Sequence, residues 1–221
     1  MKKGFFISFE GPEGSGKSTI SNKIYEWLID LIKNKSINFS GVLKTREPGG
    51  YNNKFCEDIR KIILSDEYEI SNLTEALLFA ASRSQHINDT IIPALEKNEI
   101  VVCDRYIDSS YVYQGLSSTL GIDKIITINE IATSKLLPDL TLILMVDAKI
   151  GLNRIKINNR EINKIDLKPL EYHKKIEKYY HDLKKYDFSN RIVYIDANID
   201  SIDIILDNCK EVILKYIHGH K

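Results

Sequence analysis

The stretch that decides the fold is Phe5-Phe6-Ile7-Ser8-Phe9-Glu10-Gly11-Pro12-Glu13-Gly14-Ser15-Gly16-Lys17-Ser18-Thr19. Its first six residues are an apolar run closed by a carboxylate, which reads as a buried strand. Residues 11–18 fit the pattern G-x-x-x-x-G-K-S/T. Glycines at those positions let successive backbone N–H groups turn inward around a phosphate. Lys17 adds a point charge for the β- and γ-phosphates, and the Ser18 hydroxyl can ligate Mg²⁺. From Ser18 to about Lys33, Ile20, Ile24, Leu28 and Leu31 fall on one helical stripe. That helix aims the positive end of its dipole at the same anion. A strand, the loop and a helix in this order predict a nucleoside triphosphate with Mg²⁺, and leave the acceptor open.

Working outward, short apolar runs alternate with longer amphipathic segments. Val42–Thr45, Ile100–Asp104, Leu140–Val146 and Ile192–Ile195 read as four more strands. Phe55–Leu64, Asn72–Lys97 (bending near Pro93), Asp108–Gln114, Asp123–Leu136, Lys149–Ile157, Pro169–Tyr186 and Ser201–Ile217 read as helices. Nearly continuous apolar strands are covered on both faces, as in parallel sheets. Their alternation with helices predicts a doubly wound α/β fold with right-handed crossovers. Ligands in such folds sit at the carboxyl ends of the strands, so the residues just after each strand carry the information.

Composition excludes several classes. The chain has 221 residues, with 31 Lys plus Arg against 31 Asp plus Glu, so no global positive charge exists to draw in nucleic acid. With 43% hydrophobic residues and no net charge it is not a disordered chain. Cys56, Cys103 and Cys209 are scattered and form no C-x-x-C pair, which argues against a disulfide framework or zinc site. The five histidines, His86, His173, His181, His218 and His220, show no metal-ligand spacing. No apolar run approaches the ~20 residues of a membrane span, and Phe5–Phe9 is too short for a signal-peptide core. The expectation is a reduced, cytoplasmic protein.

Three clusters follow the loop. Thr45-Arg46-Glu47-Pro48-Gly49-Gly50 comes after the second strand and Asp104-Arg105-Tyr106 after the third. Phe79 and Arg83 stand between them at i and i+4, on one helix face. Arg46 and Arg105 can grip a phosphate through planar paired donors. A ring and a donor on one face can stack on a base and read its edge, and the Gln114 amide suits a base edge too. Asp104, ending an apolar strand, is placed to hold Mg²⁺ through water. Tyr172, Tyr179 and Tyr180, on the basic helix 169–186, read as packing residues.

EGPEGSGKST, TREPGG, LLFAASR, CDRYIDSSYVYQG and PDLTLIL together resemble the bacterial thymidylate kinases, from about Phe5 to the last helix. The resemblance implies a P-loop NTPase-type three-layer sandwich, with a five-stranded parallel sheet, forming one kinase domain over residues 1–221. It implies phosphoryl transfer from ATP to dTMP, giving dTDP and ADP for DNA synthesis. Gly11, Pro12, Glu13, Gly14, Ser15, Gly16, Lys17, Ser18 and Thr19 would hold ATP, and Arg154 would pack on adenine. Ser18 and Asp104 would serve Mg²⁺. Arg46 and Arg105, helped by Arg60, would bind the dTMP phosphate. Phe79 would stack on thymine, with Arg83 and Gln114 on its edge and Ser110 nearby. Tyr113 would lie under the deoxyribose and Glu13 near its 3′-hydroxyl.

The family also carries a short lid, which maps to about Asn158–Asp166. The phosphate loop here has no arginine, so Arg160 of the lid is the expected catalytic one, acting with Lys17, Arg105, Asp104 and Arg46. Lys164 stands where the family has a second arginine, and a lysine cannot bridge two oxygens as an arginine does. Homodimers are implied by the resemblance alone.

Three rival readings differ in chemistry. Asn163-Lys164-Ile165-Asp166 fits the guanine-reading N-K-x-D pattern of GTPase switches, but follows a polar, basic stretch instead of a buried strand. Another nucleoside monophosphate kinase or a deoxynucleoside kinase would share the loop, although the TREPGG arginine argues for an acceptor already phosphorylated. A nucleotide-dependent interaction module would bind without turnover.

Overall fold

The computed structural model describes residues 4–157 and 164–219. Five strands form one sheet: β1 (Phe5–Glu10), β2 (Gly41–Arg46), β3 (Glu99–Asp104), β4 (Leu140–Met145) and β5 (Ile192–Asp196). All neighbours pair in parallel, in the order β2-β3-β1-β4-β5. The predicted fold class is the observed one. The phosphate loop leaves the central strand, with the ends of β3 and β4 on either side.

Alternate residues of β1 explain the two helical layers. Phe5, Ile7 and Phe9 join one core with Ile20, Ile24 and Leu28 of α1 (Lys17–Lys33) and Cys209 and Ile213 of α9 (Ile202–Gly219). Phe6 faces the opposite core, among Ile87, Ile91, Tyr106, Ile176 and Tyr180. A side-chain period of two divides each strand between the layers, which is why β1 is buried along its whole length, Ser8 and Glu10 included. β2 departs from the expectation of burial on both faces: at the sheet edge most of it is only half-buried.

The remaining helices are α2 (Lys54–Leu64), α3 (Asn72–His86), α4 (Ile92–Glu96), α5 (Ile107–Ser110), α6 (Ile122–Thr133), α7 (Ala148–Ile157) and α8 (Leu170–Asp182). Two expected helices contain π turns. The long helix from Asn72 changes type at Ile87–Ile91, directly before Pro93. Proline lacks the amide for an i→i−4 bond and its ring crowds the preceding turn, and the wider turn accommodates it. Tyr111–Leu116 is the second such turn, and it carries Tyr113 and Gln114.

One buried ion pair ties the segment after β3 to the start of β5. Arg191 donates to both Asp108 oxygens, at 2.7 and 2.8 Å, and both side chains are almost fully buried. Removing one partner strands the other's charge in a dry site. Arg191→Met is therefore expected to lower unfolding stability by about 3–5 kcal/mol, measured by urea denaturation; a loss under 1 kcal/mol would contradict the burial argument.

Candidate phosphate-transfer site

Gly11 and Gly14 hold the loop in conformations with positive φ, and a Cβ at Gly14 would lie 2.1 Å from the Gly151 carbonyl oxygen. Gly151 on α7 is as tightly placed, since its own Cβ would meet the Glu13 carbonyl at 2.4 Å. Two bare backbones thus pack loop against helix. The buried Lys17 ammonium donates to the Gly11 and Pro12 carbonyls at 2.8 and 2.7 Å and to Ser15 Oγ at 3.3 Å. Burial, with Arg105 nearby, brings Lys17 down to about 7, against the opposing pull of Glu13, Asp104 and Glu10. Phosphate oxygens next to it would favour its charged form.

Ser18 Oγ donates to Asp104 Oδ2 at 2.5 Å, so the two expected metal residues stand side by side. They line a cavity of about 670 Å³ together with Glu13, Thr19, Arg46, Arg60, Arg105 and Arg154. Parallel topology explains the convergence, because the loop after β1 and the ends of β2 and β3 all open on this edge of the sheet. Arg105 has φ of 70° while its amide donates to Phe9 O at 2.9 Å. That left-handed turn directly after a strand is strained for a non-glycine residue.

Arg46 and Arg105 are each held by a carboxylate. Arg105 donates to Glu13 at 3.0 Å, and Tyr113 donates to both Glu13 oxygens at 2.7 Å. Burial alone would raise Glu13; the charges of Arg105 and Lys17 and the Tyr113 bond outweigh it and hold Glu13 below the usual carboxylate range. Arg46 pairs with Glu57 at 2.9 Å and lies over the Tyr51 ring at 4.7 Å. Glu57 also accepts from the Gly50 and Tyr51 amides, each at 3.0 Å, fixing the TREPGG turn. Arg60 donates to the Pro48 carbonyl at 2.9 Å. Arg154 donates to Ala197 O and Ile199 O at 2.7 and 3.0 Å, which sets the loop before α9 as the cavity's far wall.

The expected base-reading residues are not among the lining of this cavity; Arg83, which also holds Ser110, connects to it through Glu47. Arg83 is buried and donates to Glu47 Oε2 at 2.6 Å, to Ser110 Oγ at 3.1 Å, to Tyr106 O at 3.3 Å and to Asn129. Gln114 donates to Glu75 at 2.8 Å. Phe79 is half-buried on α3, one turn before Arg83. Arg160 and Asn163 lie outside the described residues. Lys164 pairs with Asp66 at 2.7 Å and donates to the Ser65 carbonyl, just past α2.

Sequence reading missed the carboxylates Glu10, Glu47, Glu57 and Glu75, together with His86 and Tyr180. Glu10 left a visible trace, a charge ending an apolar strand. It is fully buried and accepts from the Tyr106 amide at 2.7 Å and from Ser109 Oγ at 2.6 Å. His86 bridges Glu47 at 3.1 Å and Thr45 Oγ1 at 2.6 Å, bracing β2's end from α3.

The thymidylate kinase family model matches residues 9–207. A thymidylate kinase of Clostridium novyi (strain NT) is 46% identical over 213 residues, covering 95% of this chain and 98% of that protein. One of Geobacillus thermodenitrificans is 42% identical over 220 residues, 99% of this chain and 93% of that protein. The crystal structure of thymidylate kinase from Ehrlichia chaffeensis superposes with a TM-score of 0.74 at 28% identity, covering 95% of this chain and 98% of that one.

Burial, then the charge of Asp108, raises Glu10 from 4.5 to about 7. A carboxyl whose folded value is raised stabilises the fold fully below about 4.5, and that contribution is lost as pH rises through about 7. Relative to Glu10→Gln, the wild type should therefore lose stability over this interval, read from urea midpoints at successive pH. A difference flat across it would contradict the shift.

Proposed function

The chain belongs to the thymidylate kinase family, and we propose that the cavity bounded by the phosphate loop, Arg46 and Arg105 is where it carries phosphate from ATP to dTMP. As an ATP-dependent dTMP kinase it makes dTDP and ADP, in the nucleotide biosynthesis that supplies DNA. The observation that carries the assignment of this site is the single cavity shared by Lys17, Ser18 and Asp104 with Arg46, Arg60 and Arg105. One set suits a triphosphate and the other an anionic acceptor.

In the proposed reaction an oxygen of the dTMP phosphate attacks the γ-phosphorus in line. The bond to the β,γ-bridging oxygen breaks, and ADP departs with that electron pair. No covalent enzyme intermediate is needed, so the side chains position the reactants and neutralise charge. Lys17 faces the β- and γ-phosphates, while Arg46, Arg60 and Arg105 receive the acceptor phosphate. Arg160 is assigned to the transferring group, and closure of the lid, residues 158–166, excludes water. Ser18 and Asp104 fit Mg²⁺, a hard cation that takes few protein oxygens and keeps phosphate and water ligands. Bound there, it would neutralise charge between the β- and γ-phosphates.

Arg154 and the wall at Ile199 suit adenine. Phe79, Arg83, Ser110 and Gln114 are assigned to thymine, and Tyr113 with Glu13 to the deoxyribose. The Tyr113–Glu13 bond supports the last pairing, because it sets the phenol beside the proposed 3′-hydroxyl ligand. Residues 1–221 are read as one kinase domain. Among the described residues no helix is long and apolar enough to cross a membrane, and a cytoplasmic location is proposed.

A homodimer is proposed as well. Phe55 and Ile62 on α2 and Leu73 and Leu77 on α3 are 40–54% exposed, although both helices already pack on one another. A second copy would cover them. Leu77→Asp is expected to shift the protein from dimer to monomer in sedimentation velocity. A monomeric wild type would overturn the assignment.

The acceptor is tested by coupled assays with dTMP, dUMP, UMP, GMP, AMP and thymidine, and the highest kcat/KM is expected for dTMP. Arg46→Ala should raise the KM for dTMP by about tenfold or more, the loss of charge-assisted bonds worth roughly 1.5–3 kcal/mol, with the KM for ATP within about twofold. An unchanged KM for dTMP would remove Arg46 from the acceptor site.

A further inference from the structure

Arg105 is held from two sides. Its Nη2 meets Glu13, and the guanidinium lies 5.5 Å from the Tyr113 ring centroid. Its Nη1 lies 3.0 Å from Ser109 Oγ and 3.2 Å from the hydroxyl of Tyr180, on α8. Tyr180 is fully buried, and its ring stands edge-on to Tyr113 at 6.2 Å.

Hydrogen accounting gives this cluster a direction. A guanidinium has donors only, so both hydroxyls accept from Nη1. Their own hydrogens must then point elsewhere. Ser109 Oγ is 2.6 Å and Tyr180 Oη 3.4 Å from Glu10 Oε2, and the two hydroxyls lie 3.2 Å apart; with Glu10 ionised, Ser109 donates to the carboxylate and Tyr180 to the carboxylate or to Ser109. The chain therefore runs from Arg105 through two hydroxyls to Glu10 at the end of β1. Glu10 is fixed in turn by the amides of Tyr106 and Ser109, at 2.7 and 3.3 Å.

We infer that Tyr180 is a positioning residue for the phosphoryl transfer: its hydroxyl, with that of Ser109, sets the plane of the Arg105 guanidinium between Glu10 and Glu13. The inference rests on the reading of Arg105 as a phosphate ligand. A guanidinium plane that is fixed in advance meets phosphate oxygens without reorganising, and small misplacements of such groups cost rate steeply. Without the Tyr180 hydroxyl, Nη1 keeps Ser109 alone and the network leading to Glu10 loses a donor, while the ring still fills its buried site.

Tyr180→Phe tests this directly. Its kcat should fall about tenfold, equivalent to roughly 1.4 kcal/mol, with the KM for ATP unchanged within about twofold. Ser109→Ala should give a loss of the same order, and serves in its place should the phenylalanine variant not fold. In an Arg105→Lys background, adding Tyr180→Phe should change kcat by less than about twofold, because the group it orients is gone. Wild-type kcat in both single hydroxyl variants, with or without a lower Tm, would overturn the inference and leave packing as the role of Tyr180. So would an undiminished tenfold loss in the lysine background. Wild-type kcat in Arg105→Lys itself would overturn the reading of Arg105, and the inference with it.

Discussion

Lys17, Arg46, Arg60, Arg105 and Arg154 all face one cavity, and their mutual repulsion is the constraint that the site is built around. Burial and the charge of Arg46 hold Arg60 below its ordinary value, and Arg105 contributes to lowering Lys17. A carboxylate answers most of these cations. Glu13 takes Arg105, Glu57 takes Arg46, and Asp200 stands 3.6 Å from Arg154. Glu13 and Glu57 are tied to hydroxyl or backbone donors as well, so each neutralises an arginine and also fixes where that arginine points.

The same device connects site to scaffold. Glu10 closes the central strand and collects the amides that begin α5, so the segment after Asp104 cannot shift relative to the phosphate loop. Glu47 joins β2's end to α3 through Arg83 and His86. Burial would raise Glu47, and the Arg83 charge with the His86 bond reverses the effect, so the carboxylate stays ionised in a dry place. Buried charges of this kind are tolerable only when every partner is present. They make the acceptor side of the site a rigid extension of the sheet.

Much of this was legible before any coordinates. Five apolar runs became five strands, and the loop in residues 11–18 led into the helix that its pattern requires. Arg46 and Arg105 met at the phosphate loop because each follows a strand that must end on that edge of a parallel sheet. The partners were harder to read. Glu57 looks like one charge on an amphipathic helix, and its role depends on a turn several residues earlier folding back over it. Tyr180 sits 75 residues from Arg105 in a helix rich in lysine and tyrosine, where packing was the natural reading. The π turns also escaped notice, since a single widened turn leaves little mark on periodicity.

The sequence by itself determined the layer order, the phosphate loop and the residue types able to hold a nucleotide and an anionic acceptor, because these depend on local pattern: strand, glycine turn, helix and the residue after each strand. It also determined a net charge of zero, which hides how the charges are placed. The tertiary structure alone decided that placement. It gathered cations onto one cavity, buried glutamates behind them, and gave the hydroxyls of Ser109 and Tyr180 a direction from Arg105 toward Glu10. Such pairings join residues far apart in the chain, and their strength comes from burial, which exists only once the sheet and its helices have closed.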